Sequence, residues 1–579
     1  MALFLHLRET LADAIAAATE HMAIAPTEIM RPPKPEMGDF AWGAFAVAKE
    51  RKQSPAQVAQ DVAAQLSTAQ LRLVERVEAA GPYVNFTLNT DALMRELFAE
   101  IDRSNGRFGC LGADTGEKII FEYSGLNTHK EVHIGHLRNH ALGAALVSIW
   151  RSQGHEVHPV NFTNDMGAHV AKCLWWLMKK YDGKLPETDP VKRMEALADV
   201  YVEASKAFAD AEESGDTAPR QEVSRILLAI EEDAASPEAA LWKETRQWSL
   251  DGFVAVYKES DIEFEHWFLE SDVKMNGKKR VMEMLDKGIA QHSQGAIIAD
   301  LTTPENLDIM LLLKSDGTGL YATTDIALMD AKFAVFPEAT KCVVLTDMRQ
   351  AHHFAQLFAL LRRDGATQGF GHIGYELVTT PEGMMSSRKG TIVRYRDMRD
   401  ALIERSSTEL RERHPEWPAE QVAQTARAVA FGAMKFTMLT VSSHQKIVFD
   451  MAAALSLTGM SALYLQYSYA RIRTLLTRVN NAKGEIATTP LTHPTERALL
   501  LHLLWFADAL AMASAENDPS VLARYLYELC QKMSTCYEVC RVIEEDGTVQ
   551  QWRASLHAHT GEVLAQGLQM LGIPVVNAL

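Results

Sequence analysis

Apolar residues along roughly the first 115 positions recur mostly at helical spacing, broken by one alternating run, YVNFTL, and by the turn-rich RPPKPEMGDF. That pattern predicts a small α/β domain over residues 1–115, ending near RFGCLGADTGEK. KIIFEYS then reads as a buried strand, HLRNHALGAALVSIWRSQG as a long helix, and EVHPVNF as a second strand. Strand, helix and strand within about 45 residues form a βαβ unit and imply a parallel sheet. From about 166 to 290 the periodicity is mostly helical, with the acidic ADAEESGDTAPRQEV predicted as an exposed loop. Strand signals return in GAIIADL, DIMLLLKS, KCVVLTD and YELVTT, and from Asp397 onward only helical periodicity remains. The expected architecture is multidomain α/β: residues 1–115, then 116–396 with a helical insertion at about 170–290, then an all-α domain over 397–579.

A length of 579 residues agrees with three or four domains, and 47% hydrophobic with 23% charged residues is ordinary for a globular protein. The opening MALFLHLRETLADAIAAATEHMA is interrupted by Arg8, Glu9, Asp13 and Glu20 at amphipathic spacing, so it is not expected to be a signal peptide. No stretch of about 20 apolar residues is free of charge, so no membrane span is expected. None of the six cysteines forms a CxxC pair, and Cys530, Cys536 and Cys540 fall in a helical stretch. A reduced, cytoplasmic protein without a cysteine zinc site is expected. The formal net charge of -17 argues against indiscriminate nucleic-acid binding, but not against a local basic track. SSRKGTIVRYRDMR and YARIRTLLTR are candidates for such a track.

Four histidines in NTHKEVHIGHLRNH, His129, His133, His136 and His140, raise two chemistries. As metal ligands they fit poorly: HKEVH has Lys130 where HExxH needs its glutamate, and no further ligand follows at suitable spacing. No metal site is expected. As phosphate ligands they fit better, because a strand runs into a loop and a helix begins near His133. A helix start presents free N–H groups and positive dipole to an anion. Gly135 would allow a nucleotide close approach, and His133 and His136 could donate to phosphate oxygens as charge builds. A downstream partner is MMSSRKG, whose Ser386, Arg388 and Lys389 sit on a glycine-bounded loop suited to a pyrophosphate leaving group. GFGHIG satisfies GxGxxG but follows a helix and precedes a strand, the reverse of a dinucleotide site.

HIGH with a downstream KMSKS-like loop resembles class I aminoacyl-tRNA synthetases, and neighbouring blocks narrow the resemblance to the arginyl-tRNA synthetase family. Those blocks are FEYSGLNTHKEVHIGHLRN, VNFTNDMG, SDGTGLYATTDIA, DMRQAHHFAQLF, FGAMKF, VFDMAAALSLTGMSALYLQYSYARI and LAQGLQMLGI. MGDFAWGAFAVAK and AAGPYVNF are similar to the family's extra N-terminal domain, so the resemblance spans nearly the whole chain. It implies a Rossmann-type catalytic domain, a tRNA-binding N-terminal domain and an α-helical anticodon-binding bundle. The implied activity joins L-arginine to tRNA(Arg) through arginyl-adenylate, with ATP and Mg2+ but no protein-caged metal, in a cytoplasmic monomer.

By the same resemblance, His133, Gly135, His136, Met385 and Ser386 bind ATP, while Glu122, Ser124, Asn127, Tyr321, Asp325 and Gln350 hold arginine. Tyr83 and Asn85 correspond to the part that meets the tRNA elbow, and Gln466, Tyr467 and Arg471 to the anticodon binder. Two carboxylates, Glu122 and Asp325, suit a ligand with one guanidinium and one α-ammonium. The signature loop departs from the family: Met384 and Ser387 replace its two lysines. Members lacking the second lysine carry one three residues before HIGH, where Lys130 stands, so Lys130, Arg388 and Lys389 are expected to stabilise pyrophosphate. The terminal VVNAL also departs. The competing expectations are a class I synthetase for another amino acid and a non-catalytic tRNA-binding paralogue.

Overall fold

The computed structural model describes residues 3–112, 117–379 and 393–579. By their contacts they form two units: Met1–Ala113, Ser152–Gly154 and Ser456–Leu579 in one, Asp114–Arg151 and His155–Leu455 in the other.

A five-stranded parallel sheet organises the second unit. Its strands are β1 (Lys118–Glu122), β2 (Glu156–Thr163), β3 (His266–Leu269), β4 (Lys341–Asp347) and β5 (Gly369–Tyr375), in spatial order β5-β4-β1-β2-β3. The predicted βαβ unit is β1, the helix α1 (Ile134–Ser152) and β2. Strand order runs outward from β1 in both directions, so connections leave to opposite sides between β1 and β4. In doubly wound folds that reversal opens a crevice at the carboxyl ends of the strands. Both central strands read as continuous apolar runs because both of their faces are covered.

The helical insertion comprises Ala168–Tyr181, α2 (Pro190–Ser214), Ala218–Glu232 and α3 (Pro237–Glu259), packed around Leu174, Leu177, Leu197, Ile226 and Trp242. Local sequence starts these helices. Asp189 caps α2 by accepting from the Lys192 amide, Ser236 caps α3 by accepting from Ala239, and a proline opens each. After β3 come a three-stranded antiparallel sheet and α4 (Tyr321–Val335), which packs Ile326 and Leu328 on Ile120, Cys342 and Val344 of the main sheet. The helices α5 (Tyr395–Arg413) and Ala419–Leu439 belong to this unit too. The contact-based division therefore falls at Leu455/Ser456 rather than at 396/397.

Two expectations change. ADAEESGDTAPRQEV is helical at both ends: α2 runs to Ser214, Gly215 ends it at φ +78°, and the next helix starts at Ala218. Asp210, Glu212, Glu213 and Glu222 lie exposed on the two helices and Asp216 in the short connector, so polarity there marked exposure more than a loop. GFGHIG does not precede a strand, as its context suggested, but forms most of β5, paired along its length with β4.

In the other unit, strands Phe40–Gly43, Tyr83–Leu88 and Val74–Ala80 make an antiparallel sheet in that spatial order, with helices Leu3–Ala18, Pro55–Leu66 and Thr90–Ser104. Its helical part comprises Ala462–Asn481, Pro494–Leu504, Phe506–Ala515, Ser520–Val539 and Gln551–Met570. Among the described residues only Pro494–Ala515 has the length and apolar character of a membrane span; 61% of that window is buried in the fold, and two helices share it.

Candidate active site

Chain leaving β1 at Glu122 turns through Ser124 (φ +82°), Gly125 and His129 (φ +63°) before entering α1 at Ile134. Hydrogen bonds hold this turn: the Ser124 amide donates to Asn139 Oδ1 at 2.5 Å and the Thr128 amide to the Asn164 carbonyl at 3.0 Å. The loop thus delivers the signature histidines to a helix start at the carboxyl end of the sheet, beside the switch between β1 and β4.

His133 and His136 stack, ring centroids 3.8 Å apart and planes 20° from parallel. The Gly135 amide donates to His133 Nδ1 at 3.1 Å, and the His133 amide donates to His136 Nδ1 at 3.2 Å. An Nδ1 that accepts leaves the proton on Nε2, so each ring is a neutral Nε2–H donor. Burial enforces neutrality: it pulls His133 down to about 4 and His136 well below the ordinary histidine value. A Cβ at Gly135 would meet the His133 ring at 3.0 Å, so the glycine makes room for its own neighbour's imidazole.

Neither outer histidine is incidental. His129 is buried and bonds Thr245 Oγ1 at 2.8 Å and Thr128 Oγ1 at 2.9 Å; His140 bonds Ser124 Oγ at 2.8 Å. Lys130 is half-buried, with its ammonium 5.8 Å from the Tyr201 ring centroid, and burial lowers its pKa. Met385, Ser386, Arg388 and Lys389 lie outside the described residues. Residues just beyond them return to the site: His133 pairs with Arg394 in an antiparallel bridge.

The expected arginine residues are partly gathered and partly engaged elsewhere. Glu122 is not a free carboxylate, since the fully buried Lys332 of α4 forms an ion pair with it. Burial works against the Lys332 ammonium, but Cys342 and Glu122 raise its pKa above the usual lysine value. Ser124 Oγ is shared between His140 and the Tyr257 hydroxyl, 2.5 Å away. Asn127 bridges Asn164, and Asp325 holds His353 Nε2 at 2.6 Å. Tyr321, at the start of α4, is 77% exposed, and Gln350 lies exposed in the turn after β4.

A further carboxylate went unpredicted. Glu270 follows β3 directly; its Oε2 is buried without a hydrogen-bond partner among the described residues. Burial pushes its carboxyl up to about 7, opposed by Lys274 and reinforced by Asp165, Asp325 and Glu231. A carboxylate with one buried oxygen lacking a hydrogen-bond partner among the described residues is the complement of a cation. The available signal was an acid at the carboxyl end of a strand, but HWFL is too short to read as a strand alone.

The residues expected at tRNA also separate. Tyr83 is half-buried, edge-on to Phe45, and Tyr467 is 39% exposed. Asn85 is buried, and Gln466 is fully buried, donating to the Pro574 carbonyl at 2.7 Å. Gln466 is an internal strut for the C-terminal segment, contrary to the expected surface role. Arg471 stacks over Tyr537 at 3.9 Å.

Residues 104–451 match the catalytic domain of class I (R) tRNA synthetases, 465–579 the DALR anticodon binding domain, and 5–88 the arginyl tRNA synthetase N-terminal domain. The chain belongs to the arginyl-tRNA synthetase family. It is 37% identical over 574 residues to the arginine–tRNA ligase of Bdellovibrio bacteriovorus, covering 97% of each chain. It is 31% identical over 563 residues to that of Treponema denticola, covering 95% of this chain and 94% of the relative. The family fold is shared along the whole length: Thermus thermophilus arginyl-tRNA synthetase superposes with a TM-score of 0.83 at 26% identity, over 99% of this chain and all of that one.

Proposed function

We propose that the chain is an ATP-dependent arginine–tRNA ligase. The arginine carboxylate attacks the α-phosphorus of ATP, forming arginyl-adenylate and releasing pyrophosphate. A ribose hydroxyl at the tRNA(Arg) terminus then attacks the arginyl carbonyl and AMP leaves. The observation that carries this reading is the pair of stacked, neutral Nε2–H donors at the start of α1. Neutral rings suit a site that must bind polyphosphate before and after charge migrates, because they donate without titrating near neutral pH.

His133 and His136 would donate to ATP phosphate oxygens, with Lys130, Ser386, Arg388 and Lys389 balancing charge on the leaving pyrophosphate. ATP would enter as its magnesium complex, the metal held chiefly by the nucleotide. Glu270 and Asp325 would receive the guanidinium in fork geometry, with Tyr321 at its edge. Glu122, fixed by Lys332, would face the α-ammonium with Ser124, Asn127 and Gln350. A pocket that pairs every donor discriminates against lysine by leaving acceptors unfilled. Tyr83 and Asn85 are assigned to the tRNA elbow, and Tyr467 and Arg471 to the anticodon side. A cytoplasmic monomer completes the reading. Arginine-dependent ATP–pyrophosphate exchange, with and without tRNA, tests it. Exchange with arginine is expected; its absence under both conditions, or equal exchange with lysine, overturns it.

A further inference from the structure

Two peptide segments far apart in sequence are tied at the histidine pair. The Ile134 amide donates to the Val393 carbonyl at 3.2 Å, and the Tyr395 amide donates to the Val132 carbonyl at 2.9 Å. Residue 393 lies three positions after Gly390, the end of MMSSRKG. A two-bond ladder of this kind contributes only about 1 kcal/mol per bond, too little to hold a segment by itself. The side chains flanking it supply the rest. Arg394 reaches Asp199 at 2.8 Å and Glu131 at 4.0 Å. Arg396 reaches Asp199 at 3.2 Å, Glu195 at 3.6 Å and Glu131 at 4.0 Å. Glu195 and Asp199 are one turn apart on α2, the same insertion helix whose Tyr201 lies under the Lys130 ammonium. Isolated exposed pairs are worth little, but here two guanidinium groups share three carboxylates, and the Glu131, Glu195 and Arg396 side chains are each under 20% exposed.

We propose that Glu195 and Asp199 of α2, with Glu131, form a positioning site for Arg394 and Arg396 that clamps segment 393–395 against His133. The insertion helix thereby sets the spacing between the histidine signature and the chain emerging from the second signature loop. None of the five residues needs to touch a reactant; they act through the backbone of His133 and through Lys130. The catalytic consequence rests on His133 binding ATP, whereas the clamp itself does not.

Asp199→Asn removes the shared charge at constant volume, and Asp199→Glu restores it. In the Asn variant, hydrogen–deuterium exchange at the Ile134 and Tyr395 amides should quicken about tenfold, while amides of β1 and β4 keep their protection. The KM for ATP in arginine-dependent exchange should rise by about fivefold to tenfold with little change in KM for arginine, and the Glu variant should recover most of both. Unchanged protection at both amides overturns the clamp, as does loss of protection spread evenly over the unit. Should the unsubstituted protein show no arginine-dependent exchange, the proposed activity falls, and the amide measurement still decides the clamp.

Discussion

His133 and His136 are neutral chiefly because they are buried, with Lys130 nearby adding to the effect, and their Nδ1 atoms are already occupied by backbone N–H groups. His133→Asn should lower kcat for pyrophosphate exchange by about 100-fold, the typical loss of one preorganised donor, with KM for arginine nearly unchanged. Lys332 makes a second test at this scale. Lys332→Met leaves the Glu122 carboxylate buried without its ion pair and should cost about 3–5 kcal/mol in urea unfolding, much of it recovered in Glu122→Gln/Lys332→Met. The signature histidines were legible because HIGH places chemistry at a helix start. Lys332 was not, because a lysine within an apolar helical run looks like a solvated residue until its face of α4 is known. Glu270 was missed for a similar reason: its meaning comes from neighbours on other segments, Asp165 and Asp325.

Helices and strands with strong periodicity were readable, and those that depend on neighbours were not. α1 and the strands on either side of it announce themselves by apolar pattern, whereas β3 has four residues and β5 is rich in glycine, so each is a strand only because the sheet edge pairs it. The insertion's acidic stretch reads as loop by composition and folds as helix because its apolar face meets a shared core. α1 packs on the chain leaving β1 at Gly143, where a Cβ would overlap the Tyr123 ring. Gly143→Ala should therefore displace α1 and cost about 2 kcal/mol of stability, measurable by denaturant midpoint, with reduced exchange activity because the histidines ride on that helix.

Across the whole chain, buried neutral histidines make stability depend on pH in one direction. Burial lowers His129, His140 and His169 to about 3 and His133 to about 4 in one unit, and His502 to about 3 and His557 to about 4 in the other. A histidine with a depressed folded-state pKa contributes stability that is present above about 6.5 and lost as pH falls toward its folded value. Glu131 and Glu270 work oppositely: burial raises each to about 7, so their contribution is full below about 4.5 and lost as pH rises to 7. Histidines outnumber these acids, so the urea midpoint should fall steeply from pH 6.5 to 4, with a slope reporting uptake of more than one proton on unfolding. Esterification of arginine to tRNA is the activity that the paired histidines and their neighbours are proposed to carry. Acid-gel or filter measurement of labelled arginine on tRNA(Arg), with lysine as competitor, tests it most directly. ATP-dependent charging with arginine that excess lysine does not reduce is expected; charging with lysine, or none with arginine, overturns the proposed activity.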